Sequence, residues 1–240
     1  MHPDELLEAI RGEGAAIVAV LQQDGAAANA VPSCPGWDVE KLVGHLGRVH
    51  RWVTAMVRAR SAERIDFPPR PERVDVPWFE EGVTELTAAL EEAGPDVAMW
   101  TFPGGGDTSR FWFRRQAEET AVHRWDVELA VGRPNPIDTE VAMAGIDELL
   151  DVFFAGRKAE LGGTVQFDAT DSPHGQWLVA SDGEGGILVG HGHDAGDVTL
   201  RATASDLLLW LWGRPVSEAG LEVVGDEALL DQWRAGFSMA

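Results

Sequence analysis

The sequence has one cysteine, no tyrosine and fewer than half as many basic as acidic side chains. Two of these shortages exclude whole classes of protein. Cys34 alone cannot form an intramolecular disulfide, which fits a reducing cytosol. The 19 Lys and Arg residues face 40 Asp and Glu, a formal charge of −21. An acidic surface of that size repels phosphate backbones and anionic headgroups, so neither nucleic acid nor a membrane is expected as a partner. No apolar run approaches bilayer-spanning length, and no basic-then-apolar N-terminal segment reads as a signal peptide. A soluble, cytoplasmic protein is expected. The missing tyrosines, beside ten tryptophans, carry no functional reading.

What is present is enough for a large core: 45% of 240 residues are hydrophobic. Helical spacing runs over 4–23, then from Asp38 as N-cap to about Arg60, over 78–93 and over 110–131. The Pro-rich stretch 66–77 separates the second and third helices. GRPNPID at 132–138 is the best boundary, since Gly and two Pro interrupt periodic segments. A helix over 139–158 then leads into four strand-like runs, GTVQFDAT, QWLVAS, GILVGH and DVTLRAT. Helices around 205–213 and 226–237 close the chain. The expected fold class is α+β, with a four-helix unit over 1–137 and a smaller mixed α/β unit over 138–240.

Two helices carry polar residues where apolar ones belong. With the fourth wound at about 100° per residue, Glu119 shares a broad face with Trp112, Gln116, Val122, His123 and Asp126. Arg114, Ala117, Ala121, Arg124 and Glu128 fall opposite, on what reads as the solvated side. In the second helix, His45 sits among Leu42, Leu46, Val49, Trp52, Val53 and Met56. His50 points away from it. A buried carboxylate is costly unless paired or bound to a metal. Two imidazoles and a carboxylate from facing helices suit a divalent ion with an open position, zinc above all. The alternatives are a surface Glu/His pair and a hydrogen-bonded core histidine. E-x-x-x-H is a weaker signal than the H-E-x-x-H pattern, which is absent.

PSCPGWDVEKLVGHLGRVHRW followed by RRQAEETAVHRWDVELAVG resembles the mycothiol-dependent maleylpyruvate isomerase family, a branch of the DinB/YfiT-like metal-binding bundles. WLWGRPV and LEVVGDEALLDQW resemble that family's second domain, which is reminiscent of sterol-carrier domains. The resemblance implies a DinB-like four-helix bundle holding a divalent metal through His45, Glu119 and His123. Asp126 would orient an imidazole or serve packing. It also implies an arginine from the second domain, placed at Arg214 in the WGR segment, to hold a substrate carboxylate or enolate; the alternative is a solvent-facing Arg at a helix end.

The implied cofactors are that metal and mycothiol, a low-molecular-weight thiol. The implied reaction is addition of a metal-bound thiolate to an electrophilic cis double bond, rotation, and expulsion to give the trans isomer. The same site would serve a mycothiol S-transferase. A non-catalytic metal-containing protein that binds a small ligand or lipid is the reading from another class. Other features carry less. Cys34 reads as a structural thiol and FPGGGDTS at 102–109 as a flexible loop lacking the P-loop ending, with a place at the site entrance as one option. His191, His193, Asp194 and Asp197 read as a surface hairpin, PHGQW at His174 as a turn, and Glu80–Glu81 and Glu91–Glu92 as solvated faces.

Overall fold

Asp38 shows how directly local chemistry sets the helices. Its Oδ1 accepts the Lys41 backbone N–H at 2.8 Å and starts a helix that runs Val39–Ala59. Asp75 does the same for Trp78 at 3.0 Å, ahead of a helix with Pro77 in its first turn. In the computed structural model, residues 1–155, 157, 160–192 and 196–237 are described. They divide into two compact units, Met1–Asn135 and Pro136–Ala240.

The first unit is a bundle of α1 (Pro3–Leu21), α2 (Val39–Ala59), α3 (Val76–Ala93) and α4 (Ser109–Ala130). α1 packs on α4 and α3, and α2 packs on α3 and α4, so neighbours around the bundle run α1, α4, α2, α3. Two glycines in the middle of α2 would ordinarily weaken a helix by about 1 kcal/mol each. Here they let neighbours approach: a Cβ at Gly47 would lie 2.4 Å from the Trp78 ring, and one at Gly44 would lie 2.9 Å from Val74.

α4 corrects the sequence reading. Its supposed solvated side is buried: Ala117, Ala121, Arg124 and Glu128 all lie inside, against α1. Periodicity misses this because the buried charges are paired. Arg124 Nε meets Glu13 of α1 at 2.5 Å, and its Nη1 meets Glu128 at 2.8 Å and the Asn135 carbonyl at 2.6 Å. Asn135 returns its backbone N–H to Glu128 at 2.7 Å. Charge on a helix face is a signal of solvent only when no partner faces it.

The second unit opens with α5 (Thr139–Glu148), which widens into a π-helical turn over Leu149–Phe154, earlier than the expected end at 158. Strands β1 (Val165–Ala169), β2 (Gln176–Ser181), β3 (Ile187–His191) and β4 (Val198–Ala202) follow, then α6 (Ala204–Leu211), β5 (Glu222–Gly225) and α7 (Ala228–Phe237). The sheet order is β3-β2-β1-β4-β5, with β1 and β4 parallel and the other pairs antiparallel. β5 was not anticipated, being only four residues long. Phe154, Phe167, Trp233 and Phe237 form the aromatic core beneath the sheet, with Trp233 and Phe237 stacked at 4.5 Å. Helical bundle first and mixed sheet second make the chain α+β. No helix among the described residues is long and apolar enough to cross a membrane.

Candidate metal centre

α2 and α4 are neighbours, and their polar residues meet. Glu119 and His123 stand one turn apart on α4, and His45 reaches them from the middle of α2. Glu119 Oε1 lies 3.3 Å from His123 Nε2 and 3.9 Å from His45 Nε2. One ligand atom from each of the three residues lies within 4.8 Å of the others. The side chains are 34% exposed at His45, 16% at Glu119 and 11% at His123, so the cluster is open on the His45 side and closed behind.

Each α4 member is held from behind. His123 Nδ1 lies 3.0 Å from Asp126 Oδ2, and Asp126 is fully buried. A carboxylate can only accept, so Nδ1 carries a proton, and Nε2, which faces Glu119 and His45, is the nitrogen that would give up its proton to bind a cation. Glu119 divides its oxygens: Oε2 takes a hydrogen bond from Arg115 Nη2, while Oε1 faces the two imidazoles.

Charge in the cluster follows from this packing. Burial works against charge on Glu119, but Arg115 and then His123 and His45 outweigh it and hold the carboxyl well below its usual range. Burial likewise works against protonated His123, yet the Glu119 charge and the Asp126 and Glu119 hydrogen bonds raise it to about 9. His45 goes the other way. Burial lowers it, then the His123 charge, with Glu119 opposing and Arg48 adding to the fall. The proton of the cluster thus resides on His123, between two carboxylates, and a cation would have to displace it.

The residues fit a divalent ion. Tetrahedral zinc with bonds of about 2.0–2.1 Å places its donors roughly 3.3 Å apart. The Glu119–His123 pair stands at that separation, and the Glu119–His45 pair is slightly wider. Two nitrogens and one oxygen leave a fourth position open, and the Asp126 contact is the support that metal-bound histidine usually has.

Residues 7–128 match the mycothiol maleylpyruvate isomerase N-terminal domain, and residues 140–232 match the MDMPI C-terminal domain. The chain belongs to the mycothiol maleylpyruvate isomerase family. Two solved structures, of the mycothiol-dependent maleylpyruvate isomerase and of a mutant of it, share its fold with TM-scores of 0.64 and 0.65. Each is 14% identical, with 93% of both chains covered. No curated protein matches in sequence.

Arg214 is half-buried in the second unit, its Nη1 donating to the Trp212 carbonyl at 3.0 Å. With Trp210, Trp233 and Arg234 it lines a cavity of about 350 Å³. His50 is fully buried and apart from the cluster. Thr120 donates its hydroxyl to the Gln116 carbonyl, so it must accept from His50 Nε2–H at 3.1 Å. Burial pushes His50 down to about 3.

Cys34 is half-buried in the turn before α2. Phe102 ties the 102–109 loop to Trp52, Trp100 and Trp112. His174 stands in a turn, as expected. His191 ends β3 and is exposed, whereas His193 and Asp194 lie outside the described residues. Asp197 accepts the Thr164 backbone N–H and hydroxyl, both at 2.8 Å.

Two features were missed from sequence. Arg115 holds Glu119, and the signal was present as an Arg–Glu pair at i, i+4 in RRQAEE. A cavity of about 440 Å³ opens beside His45, walled by Lys41, Arg48 and Arg70. Arg70 comes from the Pro-rich stretch between α2 and α3, and no helical spacing ties it to the others.

Proposed function

We propose that this chain is a metal- and thiol-dependent enzyme of the maleylpyruvate isomerase kind, with His45, Glu119 and His123 holding one divalent ion. Zinc suits this nitrogen and oxygen set best, and mycothiol is the thiol. The observation that carries the reading is the convergence of three donor atoms within 4.8 Å, in a chain that both domains of the family match. The names of the two solved relatives add a thiol, mycothiol, and a substrate, maleylpyruvate.

Bound there, the ion supplies a Lewis-acid position at which a thiol loses its proton near neutral pH. The chain's own residues set up that position. Glu119 offers one negative oxygen because Arg115 occupies the other. Asp126 keeps the His123 proton on Nδ1. His45 borders the open cavity, so small molecules approach from its side. Arg214, in the second unit, is the arginine that the family resemblance implies for a substrate carboxylate. The reaction in this reading is cis–trans isomerisation of an electrophilic double bond in a small molecule.

The test begins with metal content by elemental analysis. One equivalent is expected in the native protein and none in His45→Ala, Glu119→Ala or His123→Ala. A full equivalent in all three variants would sink the assignment. Titration of the cobalt-substituted protein with mycothiol should then give a sulfur-to-cobalt charge-transfer band. Bound cobalt without that band would remove the thiol from the reading and leave a metal protein of another kind.

A further inference from the structure

We infer that the cavity beside His45 is a carboxylate-binding pocket, with Arg48 and Arg70 as the groups that hold the anion. This deepens the proposed function and rests on it, since it gives a carboxylate of the electrophile a place beside His45 in the first unit.

Charge makes the first argument. A chain with 40 acidic and 19 basic residues has few cations, yet three of them wall one cavity of about 440 Å³. Several arginines elsewhere meet carboxylates, among them Arg11 with Glu8, Arg110 with Asp96 and Arg201 with Asp168, while Arg64 and Arg234 lie over tryptophan rings. Among the described residues, no carboxylate pairs with Lys41, Arg48 or Arg70. The cavity's two acids do not fill that role. Asp38 has an oxygen committed to the α2 N-cap, and Glu40 is exposed in the first turn. Converging like charges repel, and an entering anion relieves them.

Geometry makes the second. Arg48 is fixed: Nε and Nη2 both donate to the Pro68 carbonyl, at 2.9 and 2.6 Å, and its guanidinium lies 4.5 Å from the Phe67 ring centre. That anchoring leaves the Nη1 N–H groups for a ligand and removes most of the entropy cost of using them. Arg70 is exposed and has no hydrogen-bond partner among the described residues, so it can close on a ligand. Lys41 Nζ donates to the Gly36 carbonyl at 3.2 Å and lies over Trp37 at 5.1 Å, which gives the pocket an aromatic wall. The same Trp37 ring stands 5.4 Å from His45. An anion held by Arg48 and Arg70 therefore shares its cavity with the one candidate ligand that is open to it. The volume is that of an ordinary small-molecule site.

The test uses the full-length, zinc-loaded protein and calorimetric titration with glutarate and with its uncharged dimethyl ester. Glutarate should bind at one site, weaken as salt rises, and far outbind the ester. Arg70→Glu should weaken glutarate tenfold or more with metal content unchanged; this residue is exposed, so folding is not at stake. Arg48→Gln should do the same, with circular dichroism confirming an intact fold. Native protein stripped of metal with a chelator should keep glutarate binding that still depends on Arg70.

Native affinity in both arginine variants, or equal binding of the ester, overturns the pocket. Loss of glutarate in the metal-stripped native protein with retention in Arg70→Glu places the carboxylate on the metal; the pocket then fails while the metal reading stands. Arg70-dependent binding in a protein that takes up no metal does the reverse.

Discussion

Asp126 and His123 face each other at 3.0 Å along one side of α4, the first with no solvent contact and the second nearly without it. A buried carboxylate on the far nitrogen of an imidazole fixes both its ring orientation and its tautomer. Removing it should loosen the near nitrogen's grip on a cation without removing any ligand. Asp126→Asn is expected to weaken metal affinity about 10–100-fold. Competition for zinc against a chromophoric chelator measures this, and unchanged affinity would show the contact to be packing alone.

Arg115 acts on the opposite side of the cluster. With its guanidinium on Glu119 Oε2, the carboxylate can offer one oxygen only. Arg115→Gln should leave Glu119 loose and lower metal affinity by about tenfold or more, and Arg115→Lys should recover part of the loss. The electronic spectrum of the cobalt protein should also shift, because the carboxylate can then bind through both oxygens. An Arg115→Gln spectrum identical to the native one would remove Arg115 from the centre.

The buried network around Arg124 predicts a stability effect far from any ligand. Arg124→Ala leaves Glu13 and Glu128 facing each other without their cation, and Glu13 is only 14% exposed. Breaking such a pair costs about 3–5 kcal/mol. Urea unfolding followed by tryptophan fluorescence should show it as a lower midpoint. A loss under about 1 kcal/mol would mean that α1 and α4 are held by apolar packing alone.

His50 sets a pH dependence. Its folded value of about 3 lies below the ordinary 6.5, because burial opposes the charged form and Arg51 and His123 add to that, with Glu119 opposing. Only the unfolded chain takes up this proton between those limits, so stability falls as pH drops below 6.5. The contribution reaches roughly 2 kcal/mol by pH 5. In His50→Gln, whose amide can still donate to Thr120, that part of the acid sensitivity should vanish. Parallel stability curves for the two proteins from pH 7 to 5 would contradict it.

How much of this was legible in the sequence differs from residue to residue. His45, Glu119 and His123 could be singled out because each breaks an apolar arc, and the structure brings the three together. Asp38 announced α2 through a cap that needs no tertiary context. Arg124 and Glu128 misled, since a charge reads as surface unless its partner is known, and Glu13 stands 111 residues away. The wall of the cavity was hidden for the same reason: Arg70 belongs to an irregular stretch whose path over α2 is set by contacts such as Arg48 with Pro68. β5 was too short to show an alternation.

The order of helices around the bundle has a consequence for biosynthesis. α1 is made first, but among its neighbours are α3 and, last of all, α4; the Glu13–Arg124 pair closes a loop of 111 residues. Until α4 has left the ribosome, the apolar side of α1 has no permanent cover, and Glu119 and His123 do not yet exist for His45 to meet. Long-range closure of this kind slows folding and prolongs the time in which partly made chains can associate. The first unit should therefore fold late and all at once rather than helix by helix, and stalled nascent chains ending before residue 109 should remain protease-sensitive.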